Sequence, residues 1–326
     1  MIRQNKYNIY PPQVPYRKYL LIIIFIFFFL FNNNIFNNIN KTNNENNEIR
    51  KNNKNNFDFK FSYDKFQSYF ITDKIRQYSG YFLQLNDAKF INGLIRKRKP
   101  KKCLEIGVAY GGSSILILNA LKDIKNSYLV SLDLNNFRAQ YKIGYIVKEY
   151  FPELTKNWKL FTGDQPHKFL VKLNMKFDFL FLDSAHLSPG ELLNFIEALP
   201  FLNENATVVI HDILWHFGLK KRIYPSNINL FPAIYGDKIL LGKNDDYIGN
   251  IGAVFLYPNQ KNHYLDYFLL LLNLWEYMPK DNQINDLRIF IKEYYKNDFY
   301  LKLFNIAVKK NSISIKTYSN LYSNKK

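Results

Sequence analysis

Apolar runs alternate with mixed polar stretches along the chain from about residue 102 to residue 257. The runs are short, rich in Leu, Ile, Val and Phe, and bounded by charged or turn-forming residues, as is typical of strands buried on both faces. Strands are predicted at residues 102–106, 128–133, 159–162, 178–183 and 207–211, with a further pair at 237–241 and 251–257. With helices between most of them, the alternation predicts an α/β fold whose doubly wound, seven-stranded sheet binds ligands at the carboxyl ends of its strands.

Helical patterns flank this set of strands. Asn86 or Asp87 can cap a helix that runs to about Arg98, because Phe90 and Leu94 recur at helical spacing. Two closing helices are predicted at residues 262–275 and 284–309, and a helical or irregular cover at residues 59–79.

A glycine-rich turn follows the first predicted strand, in the sequence Leu104-Glu105-Ile106-Gly107-Val108-Ala109-Tyr110-Gly111-Gly112-Ser113. Gly107 and Gly111 allow a tight turn and a close approach of a ligand to the backbone. The helix that begins near Gly112 would present unpaired N–H groups to that ligand. Glu105 favours a ligand with an ammonium group or a ribose over one that offers only phosphate. Glycines at strand–helix corners also occur for steric reasons, so the turn alone does not identify the ligand.

The same residues resemble the first motif of class I S-adenosylmethionine (SAM) methyltransferases. Within that class they are most similar to the branch of macrolide-sugar O-methyltransferases and cephalosporin-hydroxylase-like proteins, over residues 82–257. The resemblance implies a Rossmann-like methyltransferase sheet with flanking helices, SAM as the cofactor, and a transferase of one-carbon groups. It places six residues of the motif around the cofactor: Glu105, Gly107, Ala109, Tyr110, Gly111 and Ser113.

Two further acids follow strands on the cofactor side. Asp133 ends the second predicted strand, where a carboxylate can accept hydrogen bonds from both ribose hydroxyls of a nucleoside. Asp164 follows the third, where the class places a polar residue near the adenine edge. Acids at strand ends also cap turns, so structural roles remain open for both residues.

Acids and histidines lie at the ends of the next two predicted strands. Asp183 ends the strand predicted at 178–183, with His186 three residues later, and His211 ends the strand predicted at 207–211, with Asp212 directly after it. Because neighbouring parallel strands lie about 5 Å apart, these side chains can converge on one site. Carboxylates with imidazole suit a divalent cation. Strand-end acids satisfied by backbone N–H groups are the structural alternative.

In the sugar O-methyltransferases that the chain resembles, acids at these two strand ends hold Mg²⁺. Carried over by position, Asp183 and Asp212 become metal ligands, with His211 beside them, and Asp183 and His186 become catalytic, with His186 as the general base. The chain departs from the pattern at His211, where an acid is common, and at Asn194, where the following helix often carries an acid. Both departures leave the metal's affinity and identity open.

The first 56 residues differ in composition from the rest. Tyr19–Phe31 is an unbroken apolar and aromatic run, predicted to be a membrane anchor that extends over about residues 19–36, with the catalytic domain on the cytoplasmic face where SAM is held. A secretory signal is disfavoured because no small-residue cleavage site follows, and a soluble cytoplasmic protein is the alternative. Residues 32–56 contain 14 asparagines in 25 positions, which predicts a disordered linker. The predicted domains are 1–36 (tail and anchor), 37–56 (linker), 57–260 (methyltransferase) and 261–326 (closing helices and tail).

The net charge of +18 favours anionic partners but also fits a composition rich in Lys and Asn. Nucleic acid is disfavoured as a substrate, because no Asn-Pro-Pro-aromatic motif follows the fourth predicted strand. The first hypothesis is therefore a metal-assisted O-methyltransferase that acts on a hydroxyl of a small molecule, sugar or glycan intermediate. A metal-free O- or N-methyltransferase and a non-catalytic SAM-fold binding protein are the alternatives, and homo-oligomerisation is left open.

Overall fold

A computed structural model describes residue 75 and residues 83–214, 227–241 and 250–323 of the chain, without the side chains of residue 228 and residues 316–323. The chain divides into residues 1–58 and residues 59–326, and only the second unit contains described residues. The first unit lies outside the described residues, and so do the predicted anchor, the predicted linker and all of the predicted cover at 59–79 except Ile75.

A seven-stranded sheet forms the centre of the second unit. Its strands are β1 (Lys102–Ile106), β2 (Tyr128–Asp133), β5 (Trp158–Thr162), β6 (Phe177–Leu182), β7 (Leu202–Ile210), β8 (Gly236–Leu240) and β9 (Gly252–Leu256). In space they follow the order β5-β2-β1-β6-β7-β9-β8, and a separate two-stranded hairpin consists of β3 (Phe137–Arg138) and β4 (Tyr141–Lys142). The first five strands in this order pair in parallel, and β9 pairs antiparallel with both of its neighbours.

Helices cover both faces of the sheet, as the parallel connections require. They are α1 (Leu85–Arg98), α2 (Gly112–Leu121), α3 (Tyr145–Tyr150), α4 (Pro166–Leu173), α5 (Gly190–Ala198), α6 (Asn227–Ala233), α7 (Tyr264–Leu270), α8 (Asp281–Tyr295) and α9 (Asp298–Ser323). Short 3₁₀ helices occur at Pro152–Asn157, Leu199–Phe201 and Gln260–His263.

The middle of the sheet is the most deeply buried part of the core. Residues 103–106 of β1 and 179–182 of β6 are all buried, and β1 lies directly between β2 and β6. Both faces of these strands pack against helices, so every residue is apolar or, in the case of Glu105, hydrogen-bonded internally. The carboxyl ends of β1, β2, β6 and β7 consequently lie side by side.

The predicted α/β fold with a doubly wound, Rossmann-like methyltransferase sheet is confirmed. All seven strands form within a few residues of their predicted positions. The two closing helices differ from the prediction. The first α-helix ends at Leu270, and the second predicted helix is divided into α8 and α9 by Lys296, whose φ of 49° is incompatible with a continuous helix.

The predicted membrane localisation needs correction. Among the described ranges, no helix has the length and apolar character needed to cross a membrane. The run Tyr19–Phe31 lies outside those ranges. The finding for the described helices contradicts the membrane-anchored and transmembrane assignment, and with it the membrane as a partner.

Candidate functional site

A cavity of about 660 Å³ opens at the carboxyl ends of the parallel strands. The loops after β1, β2, β6 and β7 form most of its wall, and residues 277–287, before and within α8, close one side. Its size is that of a small-molecule site. Nine residues of the sequence-predicted site line it: Gly107, Ala109, Tyr110, Ser113, Asp133, Asp183, His186, His211 and Asp212.

The glycine turn packs tightly against the end of the neighbouring strand. Gly107 has a φ of 94°, and a Cβ there would lie 2.0 Å from the carbonyl oxygen of Asp183, so no larger residue fits. Gly111 has a φ of 99° and immediately precedes α2. It does not line the cavity, and its role is to let the chain enter the helix while Gly112 and Ser113 face the ligand space.

Glu105 lies behind this turn and does not line the cavity. It is fully buried, and its carboxylate accepts hydrogen bonds from the hydroxyls of Ser113 (2.6 Å), Ser114 (2.6 Å) and Ser131 (2.5 Å). Burial raises the pKa of Glu105 to about 7, although the three hydroxyl hydrogen bonds act in the opposite direction. In this arrangement Glu105 joins β1 to β2 and to the first turn of α2.

Asp133 supports the turn from its other side. Its Oδ2 accepts hydrogen bonds from the backbone N–H groups of Val108 (3.0 Å) and Ala109 (3.1 Å), and its Oδ1 accepts one from Asn135 (2.9 Å). The carboxylate also faces the cavity. Because a carboxylate offers about four acceptor positions, it can hold the turn and still accept a hydrogen bond from a ligand hydroxyl.

Gln165, and not the predicted Asp164, lines the cavity after β5. Asp164 lies outside the cavity lining, where it accepts a hydrogen bond from the backbone of Gln165 and pairs with Lys168 at 3.1 Å. Gln165 lines the cavity and is almost fully buried, and its Oε1 has no hydrogen-bond partner within the described part of the chain. A buried acceptor without a partner is costly, so this oxygen fits a ligand donor such as an exocyclic amino group.

These features fit SAM. The glycine turn gives the backbone a close approach, Asp133 offers an acceptor for ribose hydroxyls, and Gln165 offers one for the adenine amino group. The chain therefore has a suitable group for each of these three roles.

Two acids and a histidine gather at the ends of β6 and β7. Nδ1 of His186 lies 3.2 Å from Oδ2 of Asp212 and 3.7 Å from Oδ1 of Asp183. Glu191, in the first turn of α5, accepts a hydrogen bond from the backbone N–H of His186 and lies 3.5 Å from its Nδ1. Asn250 donates a 2.5 Å hydrogen bond to Asp212. The imidazole therefore lies among three carboxylates.

His211 lies deeper in the same cluster. Its Nδ1 is 3.1 Å from Asp183 and 3.4 Å from Asp212, and its Nε2 is 3.4 Å from Asp87 of α1. Burial alone would lower the pKa of His211, but these carboxylates hold that pKa well above its ordinary value. Burial would raise the pKa of Asp183, and the imidazoles of His211 and His186 outweigh it and hold the pKa below its ordinary value.

Backbone strain accompanies this cluster. His186 and Asp212 both have a φ of 54°, and Ala109 of the glycine turn has a φ of 49°. Non-glycine residues adopt this left-handed region rarely, and they do so most often where a site requires a particular side-chain direction. All three line the cavity.

The residues at the ends of β6 and β7 fit a divalent cation, with His186 in place of the predicted ligand His211. Asp183, His186 and Asp212 each offer a ligand atom, and these atoms lie within 4.8 Å of one another. Two carboxylates and an imidazole are a usual donor set. His211 fits less well, because both of its ring nitrogens face carboxylates.

Sequence reasoning did not find several residues of the site. Asp87, Tyr277 and Gln283 belong to elements far from the strand ends in sequence, and no local pattern marks them. Glu191 does have a local signal. It is an acid in the first turn of the helix after His186, and the family that the chain resembles often carries an acid in this helix. Asn194 instead donates a 2.7 Å hydrogen bond to Ser184.

Comparisons with known proteins agree with this geometry at the level of the domain. Residues 104–213, about a third of the chain, match a family model described as a methyltransferase domain. No curated protein matches the chain.

Solved structures similar to this chain include two O-methyltransferases. One is a putative O-methyltransferase from Klebsiella pneumoniae, with 15% sequence identity, a TM-score of 0.44, and coverage of 58% of this chain and 89% of that chain. The other is TomG from Streptomyces achromogenes, involved in tomaymycin synthesis and solved with SAM, with 17% identity, the same TM-score and the same coverage. Likenesses this distant define neither a reaction nor an acceptor. The domain match, the glycine turn and the sheet order together show that this chain carries a SAM-dependent methyltransferase domain.

Proposed function

We propose that this protein transfers the methyl group of SAM to a hydroxyl oxygen, with His186 as the general base. The observation that carries the proposal is the position of His186, which lines the same cavity as the glycine turn while its Nδ1 lies 3.2 Å from Asp212. A hydroxyl is a poor nucleophile until its proton is removed or shared, and a positioned imidazole performs that step near neutral pH.

Bound SAM supplies a methyl group on a positively charged sulfur. The glycine turn and Asp133 hold the nucleoside part, and Gln165 receives the adenine edge. The acceptor hydroxyl loses its proton to Nε2 of His186 as its oxygen takes the methyl group, and the electron pair of the broken carbon–sulfur bond stays on sulfur. Asp212, facing Nδ1, fixes the ring and stabilises the imidazolium that forms.

Divalent-metal assistance is part of the proposal. Asp183 and Asp212, with His186 as a third donor, would hold the cation, and the cation would lower the pKa of an acceptor hydroxyl. Nδ1 of His186 can either coordinate the metal through its lone pair or carry a proton that faces Asp212. It cannot do both, because the proton occupies the same lone pair.

A metal-free variant of the same reaction is favoured by one observation. His211 lies 3.1 Å from Asp183 and 3.4 Å from Asp212, and these carboxylates hold the pKa of its imidazole well above its ordinary value, which favours the protonated form. Part of the negative charge that would attract a metal is therefore already balanced.

The acceptor that we propose is a hydroxyl of a sugar or glycan intermediate. Support comes from the resemblance of residues 104–113 to the macrolide-sugar branch. A non-catalytic binding protein is less consistent with the site, because Asp183 and Asp212 both line the cavity.

Calorimetry and a transfer assay test this function. The chain should bind S-adenosylhomocysteine (SAH) and should methylate at least one member of a panel of glycosides with labelled SAM. His186→Ala should lower turnover by roughly 10²–10⁴ while SAH affinity persists. His263→Ala is the matched control, since His263 lies outside the cavity lining beside Asp266. Full activity of His186→Ala, or no binding of SAH, would refute the proposal.

The metal is tested separately by titrating Mg²⁺ and Mn²⁺ into the SAH complex. Binding that is lost in Asp183→Asn supports the metal-assisted mechanism. Undiminished methyl transfer in excess chelator would favour the metal-free variant.

A further inference from the structure

A short, exposed hairpin, β3–β4, borders the cavity. Its two strands are joined at Ala139 and Gln140. Arg138 of this hairpin lines the cavity together with Leu134, which precedes it, and Tyr110 of the glycine turn. The hairpin thus borders the same cavity as His186.

Aromatic rings hold the hairpin against the glycine turn. Tyr141 stacks on Tyr145 with ring centroids 4.3 Å apart, and Tyr110 packs edge-on against both, at 6.0 Å and 5.6 Å. The guanidinium of Arg138 lies over the ring of Tyr110 at 5.7 Å. These aromatic pairs and the cation–π contact orient Arg138 and Tyr141, and both side chains stay exposed to solvent.

Large apolar side chains are exposed at the same place. Leu134 is 48% exposed, Phe137 55% and Tyr141 41%, within eight residues of one another. Single exposed apolar residues are ordinary, but a group of them at the rim of a polar cavity is typical of a binding surface. Such a surface suits a ring that offers an apolar face.

Charge distinguishes this rim from the cavity floor. The floor carries Asp183 and Asp212, which would repel an anion. Arg138 is exposed at the rim and close enough to act electrostatically on Asp183. Its planar guanidinium offers paired donors that match a carboxylate or a phosphate.

We propose that the β3–β4 hairpin selects the acceptor, and that Arg138 recognises a carboxylate or phosphate on a ring-bearing acceptor whose hydroxyl faces His186. The proposal rests on the methyl transfer described above and names its substrate class. Arg138 is then a specificity-determining residue, and the apolar rim receives the ring.

Three 4-nitrophenyl β-glucosides test this proposal because they share one ring and differ at C6: the neutral glucoside, the glucuronide and the glucoside 6-phosphate. Their binding to the full chain saturated with SAH is measured by calorimetry. An anionic ligand should bind roughly tenfold more tightly than the neutral one, the scale of a charge-assisted hydrogen bond. The difference between glucuronide and 6-phosphate identifies the anion, and the preference should weaken as salt rises.

Arg138→Gln should abolish the preference while the protein still folds and still binds SAH. Lys142→Gln, in the other strand of the hairpin and outside the cavity lining, should retain it. The proposal is overturned if neither anionic ligand binds, if all three bind equally, if Arg138→Gln keeps the preference, or if Lys142→Gln loses it equally. Failure of SAH to bind would instead remove the proposed function itself.

Discussion

The buried carboxyl group of Glu105 should make the stability of the fold depend on pH. In the folded protein the pKa of Glu105 is about 7, first because of burial, against an ordinary value of 4.5. Between these pH values the folded protein keeps a proton that the unfolded chain releases. The free energy of unfolding should therefore fall as pH rises through this window and level off above it. At about 1.4 kcal/mol per pH unit, Glu105 accounts for a loss of about 3 kcal/mol across the window.

Glu105→Gln keeps the shape of the side chain and removes its titration. The free energy of unfolding of the variant should not show this fall, since the serine hydroxyls can rotate to bond an amide. The difference between the variant and the natural chain should therefore grow by about 3 kcal/mol in favour of the variant as pH rises from 4.5 to 8. The assay is urea unfolding at half-unit steps of pH, followed by tryptophan fluorescence. Burial also raises the pKa values of Glu191 and Glu197, so the difference between the two proteins isolates Glu105.

Two further variants sharpen this experiment. Glu149→Gln removes an exposed carboxylate of α3 and should leave the pH profile parallel to that of the natural chain. Ser114→Ala removes one 2.6 Å hydrogen bond to the carboxylate and should extend the fall in stability to higher pH. A Glu105→Gln profile that follows the natural one at every pH would refute the reasoning, because the carboxyl group would then titrate alike in both states.

Three other predictions concern the cofactor side of the cavity. Asp133→Asn should weaken SAH binding by about 1.5–3 kcal/mol in calorimetry, the range for hydrogen bonds to a charged group, and unchanged affinity would remove Asp133 from the site. Gly107→Ala should lower the melting temperature far more than Gly163→Ala, because its Cβ would meet the backbone of Asp183, whereas at Gly163 it would meet only the side chain of Asn136; equal losses would contradict this packing. Gln165→Leu should weaken SAH binding, because it removes the unpartnered acceptor Oε1, and should cost only a little stability through the lost 3.3 Å hydrogen bond to the carbonyl of Gln283; unaltered binding would show that Gln165 does not face the adenine.

The strands could be predicted because burial on both faces leaves a strong signal in the sequence. Residues 179–182 and 207–210 are apolar or small without interruption, and both runs end in charged or polar residues. The parallel order then brings residues 183–186 and 211–212 to one edge. These cluster members follow from local sequence and topology together.

The rest of the site and the division of the last helices depend on tertiary contacts or on weaker signals. Asp87 lies 3.4 Å from His211 because α1 packs against the sheet. The carbonyl of Gln283 accepts a hydrogen bond from Gln165 because α8 closes one side of the cavity. The break before α9 did have a local signal, since the side chain of Asn297 caps the backbone N–H of Phe299. The prediction that α7 continues to Trp275 had no local signal against it, because the backbone N–H of Trp275 bonds to the side chain of Asn311 in the distant α9.

One packing contact joins the two halves of the proposed chemistry. The Cα of Gly107 lies against the carbonyl of Asp183, and the N–H of Asp183 donates a 3.0 Å hydrogen bond to the carbonyl of Ile106. The cofactor turn and the strand end that leads to His186 therefore cannot move apart without breaking the β1–β6 pairing. Transfer of a methyl group requires donor, acceptor and base in a narrow range of distances. In the proposed reaction, Gly107 would thus set the separation of the cofactor turn from the base.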